Sequence, residues 1–128
     1  MRSGWSAKWS SRDSYVNIHT NESSKMIDNG MMHFPGFDAG AVKWLIDNRS
    51  ISGIGVDTLS FDAGYKDSFP AHIELLTKKK YGIENMNITN DIPDNGCLLV
   101  ALPARIKGAP ETWIRCVAIQ PHDTQAKL

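Results

Sequence analysis

The chain has little of what marks the specialised classes of protein. Only two of its 128 residues are cysteines, Cys97 and Cys116, and no CxxC or nearby Cys/His pair exists, which excludes a compact cysteine-based zinc motif. Both lie in separate apolar runs and read as small core side chains, with a disulfide as the alternative. Net charge is absent too. Fourteen basic and fourteen acidic residues cancel, leaving no electrostatic footprint for nucleic acid or an anionic membrane. No apolar run approaches the ~20 residues that span a bilayer. The first residues, MRSGWSAKWSSRDSY, lack the apolar stretch of a secretory signal, which leaves the compartment open with the cytoplasm favoured. Triplets of the N-x-S/T type at Asn21, Asn48 and Asn87 would matter only in a secreted protein.

What is present is an ordinary globular composition, 41% apolar and 22% charged, on a length suited to one domain. Residues 1–30 are polar, with Trp5, Trp9 and Tyr15 but no sustained period. They read as an irregular segment packing on the domain. Pro35-Gly36 marks a bend, after which Asp38 caps a helix from Ala39 to about Asn48. Val42, Leu45 and Ile46 fall on one stripe of that helix. A glycine-spaced strand follows over Ser50–Asp57, so helix and strand succeed one another as in half of a βαβ crossover.

The stretch Gly55–Asn85 organises the rest. It reads as a buried strand, an acidic loop from Asp57 to Phe69, a helix starting at Pro70 with Ile73, Leu75 and Leu76 inward, and a strand from Tyr81 to Glu84. Loops beyond the carboxyl ends of strands are where open α/β sheets bind ligands. Lys78, Lys79 and Lys80 read as a solvated helix end rather than a phosphate grip. His72 at the helix start and Glu84 on the next strand cannot meet if one helix carries both, because twelve residues of helix rise about 18 Å. They can meet if the chain folds back between them. Asp91–Gly96 is a turn signal, Cys97–Leu102 a continuous apolar run expected to be covered on both faces, Trp113–Ile119 a last strand, and 120–128 a tail. The fold class is α/β, a mixed sheet with flanking helices. His19, His33 and His122 have no partner spacing that suggests a site.

Several phrases together resemble the metal-dependent cyclase/hydrolase family of kynurenine formamidases and isatin hydrolases. They are Arg2-Ser3-Gly4-Trp5, His33-Phe34-Pro35-Gly36, Gly55 to Asp62, Phe69-Pro70-Ala71-His72, Ile83-Glu84-Asn85, and Leu98 to Pro103 followed by Lys107-Gly108. The resemblance implies a swivelling β/β/α-like cyclase fold, incomplete at its amino end, with 1–128 forming one partial domain. It implies His72 and Glu84 as ligands of Zn²⁺, or Mn²⁺, and a small-molecule amide or lactam substrate such as N-formylkynurenine. The family's upstream His-x-Gly-Thr-His-x-Asp-x-Pro segment is not in this sequence, so no residue here takes the proton-shuttle role and the centre is expected to be inactive by itself. Asp57 and Asp62 are candidates for orienting a ligand, and Trp5 for lining a substrate pocket, with loop capping and packing as the plain alternatives. Unsheltered apolar surface would favour a homo-oligomer. The alternative of another class is a non-catalytic relative serving as a binding or assembly module.

Overall fold

The computed structural model describes residues 6–9, 15–19, 27–28, 31–87, 92–93 and 96–120. Strands β1 (Ser6–Trp9), β2 (Tyr15–His19), β5 (Gly53–Val56) and β6 (Tyr81–Ile83) form one sheet in the order β1-β2-β5-β6. The β1–β2 pair is antiparallel, while β2–β5 and β5–β6 are parallel. The sheet is therefore mixed, as the sequence implies. Helix α1 (Ala39–Arg49) crosses from β2 to β5, and α2 (Pro70–Thr77) from β5 to β6. Parallel neighbours need such crossovers, because no tight turn can reverse the chain twice. Two small antiparallel ladders complete the architecture: β3 (Ile27–Asp28) with β4 (Met31–Met32), and β7 (Leu98–Pro103) with β8 (Ile114–Ile119).

The irregular reading of 1–30 is corrected by β1, β2 and β3. Tyr15-Val16-Asn17-Ile18-His19 carries a short apolar–polar alternation, and its Val16 and Ile18 stand in register with Ile54 and Val56 of β5. Five residues give too weak a local signal; pairing with a buried central strand supplies the rest. Trp5, His122 and the tail beyond Gln120 lie outside the described residues.

The core joins the helices to β5. Val42, Ile51, Ile54, Val56, Ala71 and Leu75 are buried with Phe37 and Phe61, and Leu45 and Ile46 pack at the edge. Every residue of β5 is buried, as expected of a strand paired on both sides and covered by helices. Asp38 begins α1 as expected: its carboxylate accepts the Gly40 N–H at 2.8 Å. Helix α2 buries Ala71 and Leu75, whereas Ile73 and Leu76 are exposed, which corrects the apolar side read from sequence. Eight residues make barely two turns, so one narrow stripe suffices to seat the helix. The lysine trio ends α2. Lys79 takes a left-handed φ of 57°, and the N–H groups of Lys79 and Lys80 reach back to the carbonyls of Leu76 and Leu75.

The run from Leu98 is a strand but is not covered on both faces: Leu98 and Leu102 are 63% and 59% exposed. Cys97 and Cys116 are free and half-buried, so neither a disulfide nor a full core position describes them. Among the described residues no helix is long and apolar enough to cross a membrane.

Candidate functional site

The loop after β5, the start of α2 and the end of β6 converge. Helix α2 begins unusually. Phe69, in the capping position, has a left-handed φ of 48° and offers no side-chain cap. The cap comes instead from Asp62, eight residues before the helix. One oxygen of its carboxylate accepts the Ala71 N–H at 2.8 Å, and the other accepts the His72 N–H at 3.0 Å. These are the orphan donors of a helix start, and a carboxylate there also favours the helix dipole. Asp62 is only 1% exposed, and these donors satisfy its buried oxygens.

The second oxygen also lies 2.6 Å from Nδ1 of His72. An ionised carboxylate can only accept, so Nδ1 carries the hydrogen and donates it. In the neutral ring Nε2 is then bare, its lone pair pointing outward. Nε2 lies 3.4 Å from an oxygen of Glu84, with the two side chains 26% and 23% exposed. That same Glu84 oxygen accepts the Phe61 N–H at 3.2 Å. The chain is turned back after β6 to make this possible: Asn85 has a φ of 54°, and the N–H groups of Asn85 and Met86 bond to the carbonyls of Thr58 and Val56. The Phe61 ring stacks on the imidazole, centroids 3.7 Å apart and 18° from parallel, while Phe69 meets it edge-on at 5.5 Å.

With the ring neutral and its hydrogen on Nδ1, the Nε2 lone pair and the Glu84 oxygen face each other and can hold a cation or a proton between them. The spacing is compatible with an ion. Zinc bonds of about 2.0–2.2 Å to nitrogen and oxygen in a tetrahedron set neighbouring ligand atoms roughly 3.3–3.5 Å apart. A nitrogen and a carboxylate oxygen are a donor set that zinc accepts, and manganese where oxygen predominates. The pair supplies two donors. Among the described residues no group of three His, Cys, Asp or Glu side chains is placed to hold a metal ion.

Sequence reasoning named His72, Glu84, Asp57 and Asp62. The structure brings His72, Glu84 and Asp62 together. Asp57 is buried at the end of β5, while the polar contacts of His72 and Glu84 run to Asp62, to Phe61 and to each other. His33 is exposed. Phe61 was missed, although Gly82 carries a trace of it: a Cβ on Gly82 would lie 2.3 Å from the Phe61 ring. A lone glycine in a strand marks such close approaches. Beside the site lies a cavity of about 510 Å³ bounded by Phe34, Tyr65, Lys66 and Phe69. It shares Asp62 and Phe69 with the surroundings of the imidazole, but neither His72 nor Glu84 lines it.

The mixed sheet crossed by two helices, with a histidine and a carboxylate converging beyond its strand ends, superposes on the cyclase-type α/β fold of isatin hydrolases. The chain is related to the cyclase family of isatin hydrolases and kynurenine formamidases. A family model described as "Putative cyclase" matches residues 1–63. That match ends before α2, so His72 and Glu84 rest on geometry and on the resemblance of their phrases. Cyclase-like protein 2 of Oryza sativa subsp. japonica is 33% identical over 89 residues, 70% of this chain and 32% of that protein. Kynurenine formamidase of Polaromonas naphthalenivorans is 30% identical over 79 residues, 62% of this chain and 35% of that protein. Isatin hydrolase A from Labrenzia aggregata, solved bound to benzyl benzoate, superposes with a TM-score of 0.76 at 28% identity, covering 83% of this chain and 45% of that one. The chain thus spans 32–45% of the length of these proteins.

Proposed function

We propose that this chain carries part of the centre of a metal-dependent hydrolase acting on an amide or lactam bond, as arylformamidases do on N-formylkynurenine. The observation that carries this reading is the 3.4 Å approach of His72 Nε2 to a Glu84 carboxylate oxygen. His72 Nε2 and the Glu84 carboxylate would hold Zn²⁺ or, alternatively, Mn²⁺. A bound divalent ion polarises a carbonyl and lowers the pKa of bound water. The chain's own residues do the holding. Asp62 keeps the Nδ1 hydrogen of His72 in place, Phe61 presses on the ring face, and the Phe61 N–H steadies Glu84. The names of the relatives support a small aromatic amide or lactam as substrate. A catalytic zinc has three protein ligands, so this reading requires at least one more than the pair provides. The same shortage favours a second reading, a non-catalytic relative that keeps the fold as a binding or assembly module.

Titration calorimetry with Zn²⁺ and Mn²⁺, alongside an assay of N-formylkynurenine hydrolysis, separates the two. For the two ligands alone the hydrolase reading expects weak metal uptake without turnover; in a protein that supplies the further ligand it expects metal-dependent turnover that His72→Ala and Glu84→Ala abolish. Metal uptake without turnover in that protein supports the module, and no loss of metal binding in either variant removes the site. Self-association is part of the same proposal, resting on the exposed apolar residues of β7 and β8. A monomer by light scattering at high concentration ends that part.

A further inference from the structure

We propose that the dipeptide Phe61–Asp62 is the positioning unit of the His72–Glu84 pair, setting the ring's tautomer, its tilt and the place of the carboxylate from one short loop. Capping alone would account for the Asp62 bonds to the Ala71 and His72 N–H groups. It does not account for the 2.6 Å contact to Nδ1, nor for a stacked Phe61 ring whose own N–H holds Glu84. Three kinds of contact therefore leave two adjacent residues and end on the two side chains that face each other.

The unit is itself seated by glycines. A Cβ on Gly82 would lie 2.3 Å from the Phe61 ring, and one on Gly36 would lie 2.3 Å from the Asp62–Ala63 peptide. Both contacts are closer than real Cβ atoms tolerate, and the Gly36 contact is with backbone, which cannot swing aside. Gly36 and Gly82 thus act on the site without touching His72 or Glu84. A carboxylate that donates nothing and accepts from Nδ1 leaves only Nε2 free to bind, which is how a second layer of residues orients a ligating histidine.

The consequence for metal affinity rests on the reading of the pair as a cation site; the tautomer and the ring stacking do not. Long-range ¹H–¹⁵N correlation of His72 at pH 8, in chelator, is expected to show hydrogen on Nδ1 and none on Nε2. Its ring protons should be shifted upfield by Phe61. Asp62→Ala is expected to move hydrogen to Nε2, and Phe61→Leu and Gly82→Ala to remove the upfield shift. Zinc affinity should fall about 10–100-fold in Asp62→Ala. Where circular dichroism shows Asp62→Ala unfolded, the wild-type tautomer and the other two variants carry the test. Hydrogen on Nε2 in the wild type, or an unchanged tautomer in folded Asp62→Ala, overturns the proposal. So does an upfield shift that survives Phe61→Leu. The expected spectra with no zinc binding uphold the positioning unit and sink the cation site instead.

Discussion

Two regions of this molecule have opposite fates, and the one richer in apolar residues is the one less buried. From Gly53 to Ile83 the chain crosses once through α2, after α1 has crossed to reach it: β5 is paired on both sides and helices cover it, so Ile54, Val56 and Leu75 are fully enclosed. From Leu98 to Ile119, two strands pair, among the described residues, only with each other. In the observed register Leu98 stands opposite Ile119 and Val100 opposite Val117. Leu98, Leu102, Val117 and Ile119 are all exposed. Apolar residues make burial possible; a second layer makes it happen. A two-stranded ribbon has no second layer of its own. The contrast also explains where chemistry can be built. Among the described residues, the loop after β5 is tied to Phe34 and Phe37, to the start of α2 and to the turn after β6, and its Phe61 and Asp62 contact the histidine and the glutamate.

The contrast is tested most sharply by truncating one enclosed side chain. Leu75→Ala should lower unfolding free energy by about 2–5 kcal/mol in chemical denaturation. A loss under about 1 kcal/mol would mean that α2 is not seated as described. Next comes Gly82→Ala, which forces the Phe61 ring from its place and should cost about 1–3 kcal/mol in the same measurement. An unchanged midpoint would show that the ring moves aside freely.

The junction between the regions should respond to alkali. Burial pushes the Cys116 thiol up, and burial first, with the nearby Cys116 second, pushes the Tyr81 hydroxyl up. A folded state that holds a proton longer than the unfolded chain is stabilised below the ordinary pKa. It loses that stabilisation as pH rises through the raised one. Stability should therefore decline above about pH 8.5, the ordinary thiol range. Cys116→Ala should flatten the onset of the decline; the same slope in both proteins would remove Cys116 as its source. The smallest effect belongs to the exposed face: Val117→Ala should change stability within about 0.5 kcal/mol. A loss rivalling Leu75→Ala would erase the difference between the regions.

Much of the crossed region was legible because its signals are local. Asp38 announces α1, Pro70 announces α2, and Val42 lies where the helical stripe puts it. The limits of β5 and β6 were close, since glycine and charge punctuate them. The strands within 1–30 were not legible, because β1 and β2 depend on β5 for their pairing. The inward side of α2 was misjudged for a related reason. Ile73, Leu75 and Leu76 are all apolar, and only the neighbour that covers Leu75 distinguishes them.

By itself the sequence determined the order of helix and strand around Gly55–Asn85, and which residue types stand at each end of α2. Caps, prolines and helical spacing act over a few residues and need no partner. Tertiary structure alone decided that Asp62 caps a helix it does not belong to, that Phe61 lies flat on His72, and that Glu84 turns back to face it. Those contacts join atoms far apart along the chain, and they exist only once folding has fixed the loop, the helix start and the strand end against one core.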